Sequence, residues 1–190
     1  HVHIDHCGRL PYLILAGFRG KVICSEPSAL LLPMVMEDAL KIGFTRARRM
    51  IDNFLKMIGS MIVALPYKKW HMVEFDDNDA RLSVKLQPSG HILGSAYVET
   101  KWRRDMDEKR IVFSGDLGPP YTPLLPAPKS PYKADVVVLE STYGDRLHEG
   151  RKERRQILKQ CLTRALADCG IVLIPAFSIG RTQELLYELE

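Results

Sequence analysis

Three of the chain's six histidines fall within its first six residues, His1-Val2-His3-Ile4-Asp5-His6, with a carboxylate beside the last of them. Imidazole and carboxylate packed into so short a stretch are the donors of a metal site. In a strand, His1 and His3 would point to one face because side chains repeat every two residues. A turn after His3 would then swing Asp5 and His6 round to a second ion. Neutral imidazole with a single carboxylate suits Zn²⁺ better than Mg²⁺ or Ca²⁺, which take sites made of oxygen ligands, and iron or manganese fits the same donors. A surface histidine cluster or the remnant of a purification tag is the competing explanation; the interleaved Val2, Ile4 and Asp5 weigh against a tag. Cys7 adjoins the motif, but the His and Asp positions already satisfy a two-metal pattern without it.

Three later segments add donors. Pro88-Ser89-Gly90-His91-Ile92-Leu93-Gly94-Ser95 sets one imidazole between glycines, where the backbone can turn tightly. Phe113-Ser114-Gly115-Asp116-Leu117-Gly118 does the same for an aspartate. Leu139-Glu140-Ser141-Thr142-Tyr143-Gly144-Asp145 puts a carboxylate directly after an apolar strand. Each alone is more simply a hydrogen-bonded turn former or a cap. Taken with the first motif, His91 and Asp116 complete a donor set large enough for two metals.

The elements that must position these residues alternate between helix and strand. Leu10 to Ala16 reads as a short helix stopped by Gly17, and Lys21 to Cys24 as a strand. Ser25 and Pro27 open a helix to about Ile42, closed by Gly43, and Thr45 caps another to about Ile58. Ile62 to Leu65, Trp70 to Phe75 and Arg81 to Leu86 read as strands, the last two joined by the turn Asp76-Asp77-Asn78-Asp79. Ala96 to Trp102 and Arg110 to Phe113 form a hairpin with Arg103 to Lys109 as a solvated tip. Pro119 to Pro131 is a connector, and Val136 to Leu139 has the continuous apolar run of a buried strand. A helix to Cys169, a buried strand Ile171 to Ile174 and a helix from about Ser178 follow, beyond a boundary near Gly144 to Gly150.

Composition fits this picture. A 46% hydrophobic chain of 190 residues can build one large domain or slightly more, and a net charge of +4 permits a polyanionic partner without demanding one. No apolar stretch approaches the roughly 20 residues needed to cross a bilayer, so no membrane partner is expected. The four cysteines lack CxxC spacing and read as free thiols in a reducing compartment, hence a cytoplasmic or, in a eukaryote, nuclear location.

The order HxHxDH, Gly-His-Ile-Leu-Gly-Ser and Ser-Gly-Asp resembles the metallo-β-lactamase fold. The segment Glu140 to His148, with Ile174 to Leu185, resembles the β-CASP branch of that fold, in a form closest to prokaryotic RNA-processing members. The resemblance implies an α/β architecture: a partial αββα sandwich over residues 1–147, its N-terminal strands missing, then the truncated beginning of an inserted β-CASP domain over 148–190. It implies a nuclease that hydrolyses phosphodiester bonds of RNA, single-stranded by preference and DNA less so, through a hydroxide held by two zinc ions. His1, His3 and His91 would hold one Zn²⁺, Asp5 and His6 the other, and Asp116 would bridge them. Asp5, Asp116 and Glu140 would be the catalytic carboxylates, Glu140 by partnering a general-acid histidine of the β-CASP domain.

That histidine and a last zinc-ligating histidine have no match here. The chain starts without Met and stops at Glu190 inside a helical pattern, which leads us to expect a fragment that is inactive or nearly so. Two rival functions remain: a small-molecule metallohydrolase, which would lack the Glu140 segment, and a metal-free RNA-binding scaffold, which would not need an intact donor set. The basic run Arg151, Lys152, Arg154, Arg155, Lys159 and Arg164 could attract phosphate, but a solvated helix face explains it more simply.

Overall fold

The computed structural model describes residues 1–74, 79–147, 153–167 and 169–190. They divide into two units, His1–Glu140 and Ser141–Glu190. The sequence places its boundary between residues 147 and 148; His148, Gly150, Arg151 and Lys152 lie outside the described residues.

His1 to His3 form no ladder, contrary to the strand expected there. His3 is extended, at φ −60° and ψ 146°, and its carbonyl accepts the first bonds of helix α1 (Ile4–Cys7). The peptide needs no sheet partner because that helical turn takes over immediately. Helix α2 (Leu10–Leu15) carries Pro11 in its first turn and gives way to Gly17 at φ +100°. Strand β1 (Val22–Ser25) runs straight into helix α3 (Glu26–Gly43), where the Ser25 hydroxyl accepts from the Ser28 amide at 3.3 Å as an N-cap. Ser28, Leu32, Met36 and Leu40 are buried at intervals of one turn, which gives α3 a single inward stripe. Helix α4 (Arg48–Met61) packs on α3 and buries Ile51, Ile58 and Met61. Its N-cap is Ala47; Thr45, expected in that role, instead accepts from the Ala47 amide at 3.1 Å and makes the turn before the helix.

Strand β2 (Ile62–Leu65) pairs in parallel with β1, Val22 opposite Ile62. A second sheet follows in the order β3 (Trp70–Val73), β4 (Ala80–Pro88), β5 (Ala96–Arg104), β6 (Asp107–Phe113) and β7 (Val136–Val138), antiparallel as far as β6, with β7 parallel to β6. The turn expected at residues 76–79 lies, except for Asp79, outside the described residues. The expected charged tip is shorter than the sequence suggests: β5 and β6 run through it, leaving Asp105 and Met106 to turn. Arg103 stands opposite Glu108 in the ladder and is ion-paired to it at 2.6 Å, so the charges that look like loop are a cross-strand pair.

The two sheets face one another through Leu65 of β2 and Val84 and Leu86 of β4, ringed by Ile23, Val63, Val73, Ala96 and Val98. Helix α3 packs against β1 and β2. The fold is therefore mixed α/β with two open sheets. Antiparallel registry places the β4–β5 loop, the turn after β6 and the exit of β7 at one end of the larger sheet, since Pro88 pairs with Ala96, Val98 with Phe113, and Phe113 with Val138. No helix among the described residues is long and apolar enough to cross a membrane.

Two expected buried strands differ. The valines of β7 are 52%, 53% and 51% exposed although the strand is paired, because among the described residues it ends the sheet with one neighbour. In the second unit Ile171 to Ile174 form no strand, and Ile171 and Leu173 are 88% and 87% exposed. An apolar run specifies a buried strand only where another strand takes its backbone bonds, and none does so there among the described residues. The second unit otherwise contains helices α5 (Arg154–Ala167) and α6 (Arg181–Leu189), shorter than the expected spans to Cys169 and from Ser178.

Met36 is fully buried whereas Ile42, on the same helix, is 89% exposed. Met36→Ala should cost roughly 2–5 kcal/mol and Ile42→Ala no more than about 0.5 kcal/mol, read from urea unfolding. The cysteines divide in the same way. The Cys7 thiol lies against the carbonyls of Val2 and His3 at 3.4 and 3.3 Å, burial pushes its pKa up to about 11, and burial raises that of Cys24 as well. Cys161 and Cys169 are exposed. A thiol-disulfide reagent at pH 8 should therefore modify Cys161 and Cys169 quickly, the half-buried Cys24 more slowly and Cys7 only on unfolding; four equally fast thiols would contradict this burial.

Candidate metal centre

Four segments deliver the site. His1 and His3 come from the extended N-terminal peptide, Asp5 and His6 from the turn of helix that follows, His91 from the β4–β5 loop, and Asp116 from the turn after β6. One ligand atom from each of His1, His3, His91 and Asp116 lies within 4.8 Å of the others, and the same holds for Asp5, His6 and Asp116. The first group is half-buried, while Asp5 and His6 are exposed.

Asp116 belongs to both groups and divides its carboxylate between them. Its Oδ2 lies 3.5 Å from His1 Nε2 and 3.5 Å from His91 Nε2, whereas its Oδ1 lies 3.2 Å from His6 Nε2. His6 Nε2 is also 3.5 Å from Asp5 Oδ2. His1 Nε2 and His91 Nε2 each approach His3 Nδ1 at 3.2 Å. Three imidazoles meeting edge-on cannot satisfy all these contacts with their own protons, because each neutral ring carries one. A shared cation would take up the lone pairs, and the donor set, nitrogen-rich with carboxylate, fits zinc. Burial lowers the pKa of His91, with Asp116 opposing and His3 adding to the effect, so its imidazole is held in the neutral form that ligates metals. Cys7 turns its sulfur to backbone carbonyls and takes no part in either group.

Glu140 follows β7 by two residues and lies outside both groups. Its amide donates to the Ser114 hydroxyl at 2.9 Å and its carboxylate accepts from the Leu117 amide at 2.7 Å, next to Asp116. Of the other residues weighed in the sequence, Asp145 pairs with its neighbour Arg146, Arg181 with Glu184, and Arg154 and Arg155 both with Glu188. Lys159 and Arg164 are exposed. His148 lies outside the described residues.

Sequence reasoning gave the serines no part in the site. Ser25 and Ser28 hydroxyls both donate to the Gly94 carbonyl, at 2.6 and 2.9 Å, and the Ser95 hydroxyl accepts from the amides of His91 and Ile92 at 3.0 and 3.2 Å. Ser89 donates to the Asp116 carbonyl at 2.8 Å. The available signal was their adjacency: Ser89, Ser95 and Ser114 stand within two, four and two residues of a ligand and beside a glycine.

No family model matches the sequence. Similarity to known proteins runs its whole length. It is 36% identical over 195 residues to Ribonuclease TTHA0252 of Thermus thermophilus, covering 100% of this chain and 41% of that protein. It is 32% identical over 199 residues to Endoribonuclease ysh-1 of Neurospora crassa, covering 100% and 22%. It is 31% identical over 189 residues to an RNase J-like protein of Methanocaldococcus jannaschii, covering 98% and 41%. The chain thus spans less than half the length of these relatives. Over that span its sequence is similar to these ribonucleases.

Proposed function

We propose that this chain carries the metal centre of a zinc-dependent ribonuclease that hydrolyses phosphodiester bonds, and that its two units are part of a metallo-β-lactamase αββα sandwich and the beginning of a β-CASP domain. The observation that carries the reading is the Asp116 carboxylate, one oxygen turned to His1 and His91 and the other to His6. A carboxylate so divided suits two cations better than one. His1, His3, His91 and Asp116 would hold the first ion and Asp5, His6 and Asp116 the second. Zinc held there would supply hydroxide near neutral pH and neutralise charge on phosphoryl oxygens. RNA as the substrate, in processing or decay, is supported by the relatives' names, and DNA is the weaker alternative.

The residues of the chain do the positioning. His91, held neutral, and His1, whose side chain is 2% exposed, fix one side of the centre. Asp5 and His6, on an exposed helical turn, leave the other side open to a polymeric substrate. Glu140 sits next to Asp116 through the Leu117 amide, where its carboxylate can also orient a proton donor to the leaving oxygen.

The full-length protein should bind two equivalents of zinc, and Asp116→Ala should abolish cleavage of labelled RNA with the fold intact. Absence of stoichiometric transition metal, or unchanged turnover in that variant, would refute the reading. Glu140→Gln keeps an acceptor for the Leu117 amide, so zinc content should hold while RNA cleavage falls by about 10² to 10⁴-fold. A nitrophenyl phosphodiester, whose leaving group needs no proton, should be cleaved almost as before. Equal loss on both substrates would place Glu140 in the fold of the centre and not in proton transfer.

A further inference from the structure

Among the described residues the buried polar side chains are Ser25, Ser28, Ser89, Ser95, Ser114 and Glu99, and every serine among them touches the segments that carry His91 or Asp116, or the loop end beside them. Ser89, 0% exposed, differs from the rest in spending all its hydrogen bonds on both ligand segments at once. Its amide donates to the Ser95 carbonyl at 3.2 Å and so closes the loop around His91. Its carbonyl accepts from the Gly118 amide at 2.7 Å and its hydroxyl donates to the Asp116 carbonyl at 2.8 Å, holding the Asp116 turn at the ligand's own carbonyl and again two residues on. None of these bonds belongs to the sheet ladder, which ends at Pro88.

The backbones of the two segments meet beside it. A Cβ on Gly118 would lie 1.8 Å from the Gly90 carbonyl oxygen, and Gly90 itself stands at φ +72°. No side chain fits between the turns, so their separation is set by hydrogen bonds across it, and Ser89 makes both of those named above. We infer that Ser89 is a positioning residue that fixes the spacing of His91 and Asp116 before any metal arrives, and so sets the affinity of the site. The inference rests on the metal-centre reading above. It makes the hydroxyl an outer partner of two ligands at once, acting through the Asp116 backbone and not through its carboxylate. Partners of this kind typically contribute about 10 to 100-fold to metal affinity.

Cobalt(II) titration of the 190-residue chain, followed by visible absorption, reads the site directly. If the unaltered chain binds no cobalt, the metal-centre reading itself fails. If it binds, Ser89→Ala should weaken binding about 10 to 100-fold and change the ligand-field bands, while Ser89→Thr, which keeps the hydroxyl, should bind more tightly than the alanine variant. Val84→Ala, which opens the core between the sheets, serves as the control for loss of stability alone. Wild-type affinity and spectrum in Ser89→Ala, or a loss no greater than that of Val84→Ala at equal metal-free stability, would overturn the inference. Amide exchange on the unaltered, metal-free chain tests it independently of how any variant folds. The Gly118 amide, which donates to the Ser89 carbonyl, should be protected without metal, and free exchange there that stops only when metal is added would show that the metal, not Ser89, sets the spacing.

Discussion

The close approach of two turns at one end of the five-stranded sheet is the constraint on which the rest depends. Gly90 and Gly118 meet backbone to backbone, and the contact places His91 Nε2 3.5 Å from Asp116 Oδ2. Antiparallel pairing of β4, β5 and β6 brings both turns to that end, and the parallel strand β7 delivers Glu140 to the same place. The N-terminal histidines then need only reach a carboxylate that is already held. Ser25 and Ser28, at the start of α3, tie the loop to the helical side of the fold through Gly94.

This division of labour separates rigidity from chemistry. The groups that hold the site are small, uncharged and buried, and their hydrogen bonds are short and local. The groups that would do chemistry are partly open: His3, His91 and Asp116 are half-buried and Asp5 and His6 exposed. Burying imidazoles and carboxylates without a cation is costly, and leaving the face of Asp5 and His6 in water limits that cost.

What the sequence made legible was which residues the fold would bring together. HxHxDH, Gly-His and Ser-Gly-Asp could be singled out as one candidate cluster because their residue types are rarely grouped without cause, and the glycines announced turns. The serines could not be ranked, since a serine beside a glycine is ordinary turn material until its partner across the chain is known, as Ser89 with Asp116 shows. Registry was also invisible: Arg103 and Glu108 look like a solvated loop until the ladder sets them opposite each other. Apolar runs misled in the other direction. Val136 to Val138 found one neighbour and Ile171 to Ile174 formed no strand, because a run of valine and isoleucine states a preference for burial and not who provides it.

Histidine nitrogens and the Asp116 carboxylate, and no sulfur, should surround an ion bound at this centre. Zinc K-edge absorption fine structure on the chain loaded with one equivalent of zinc measures this most directly. The account predicts nitrogen and oxygen scatterers at about 2.0–2.2 Å with the outer-shell pattern of several imidazoles. A sulfur shell at about 2.3 Å, which would bring Cys7 into the site, or a first shell without imidazole, would contradict it.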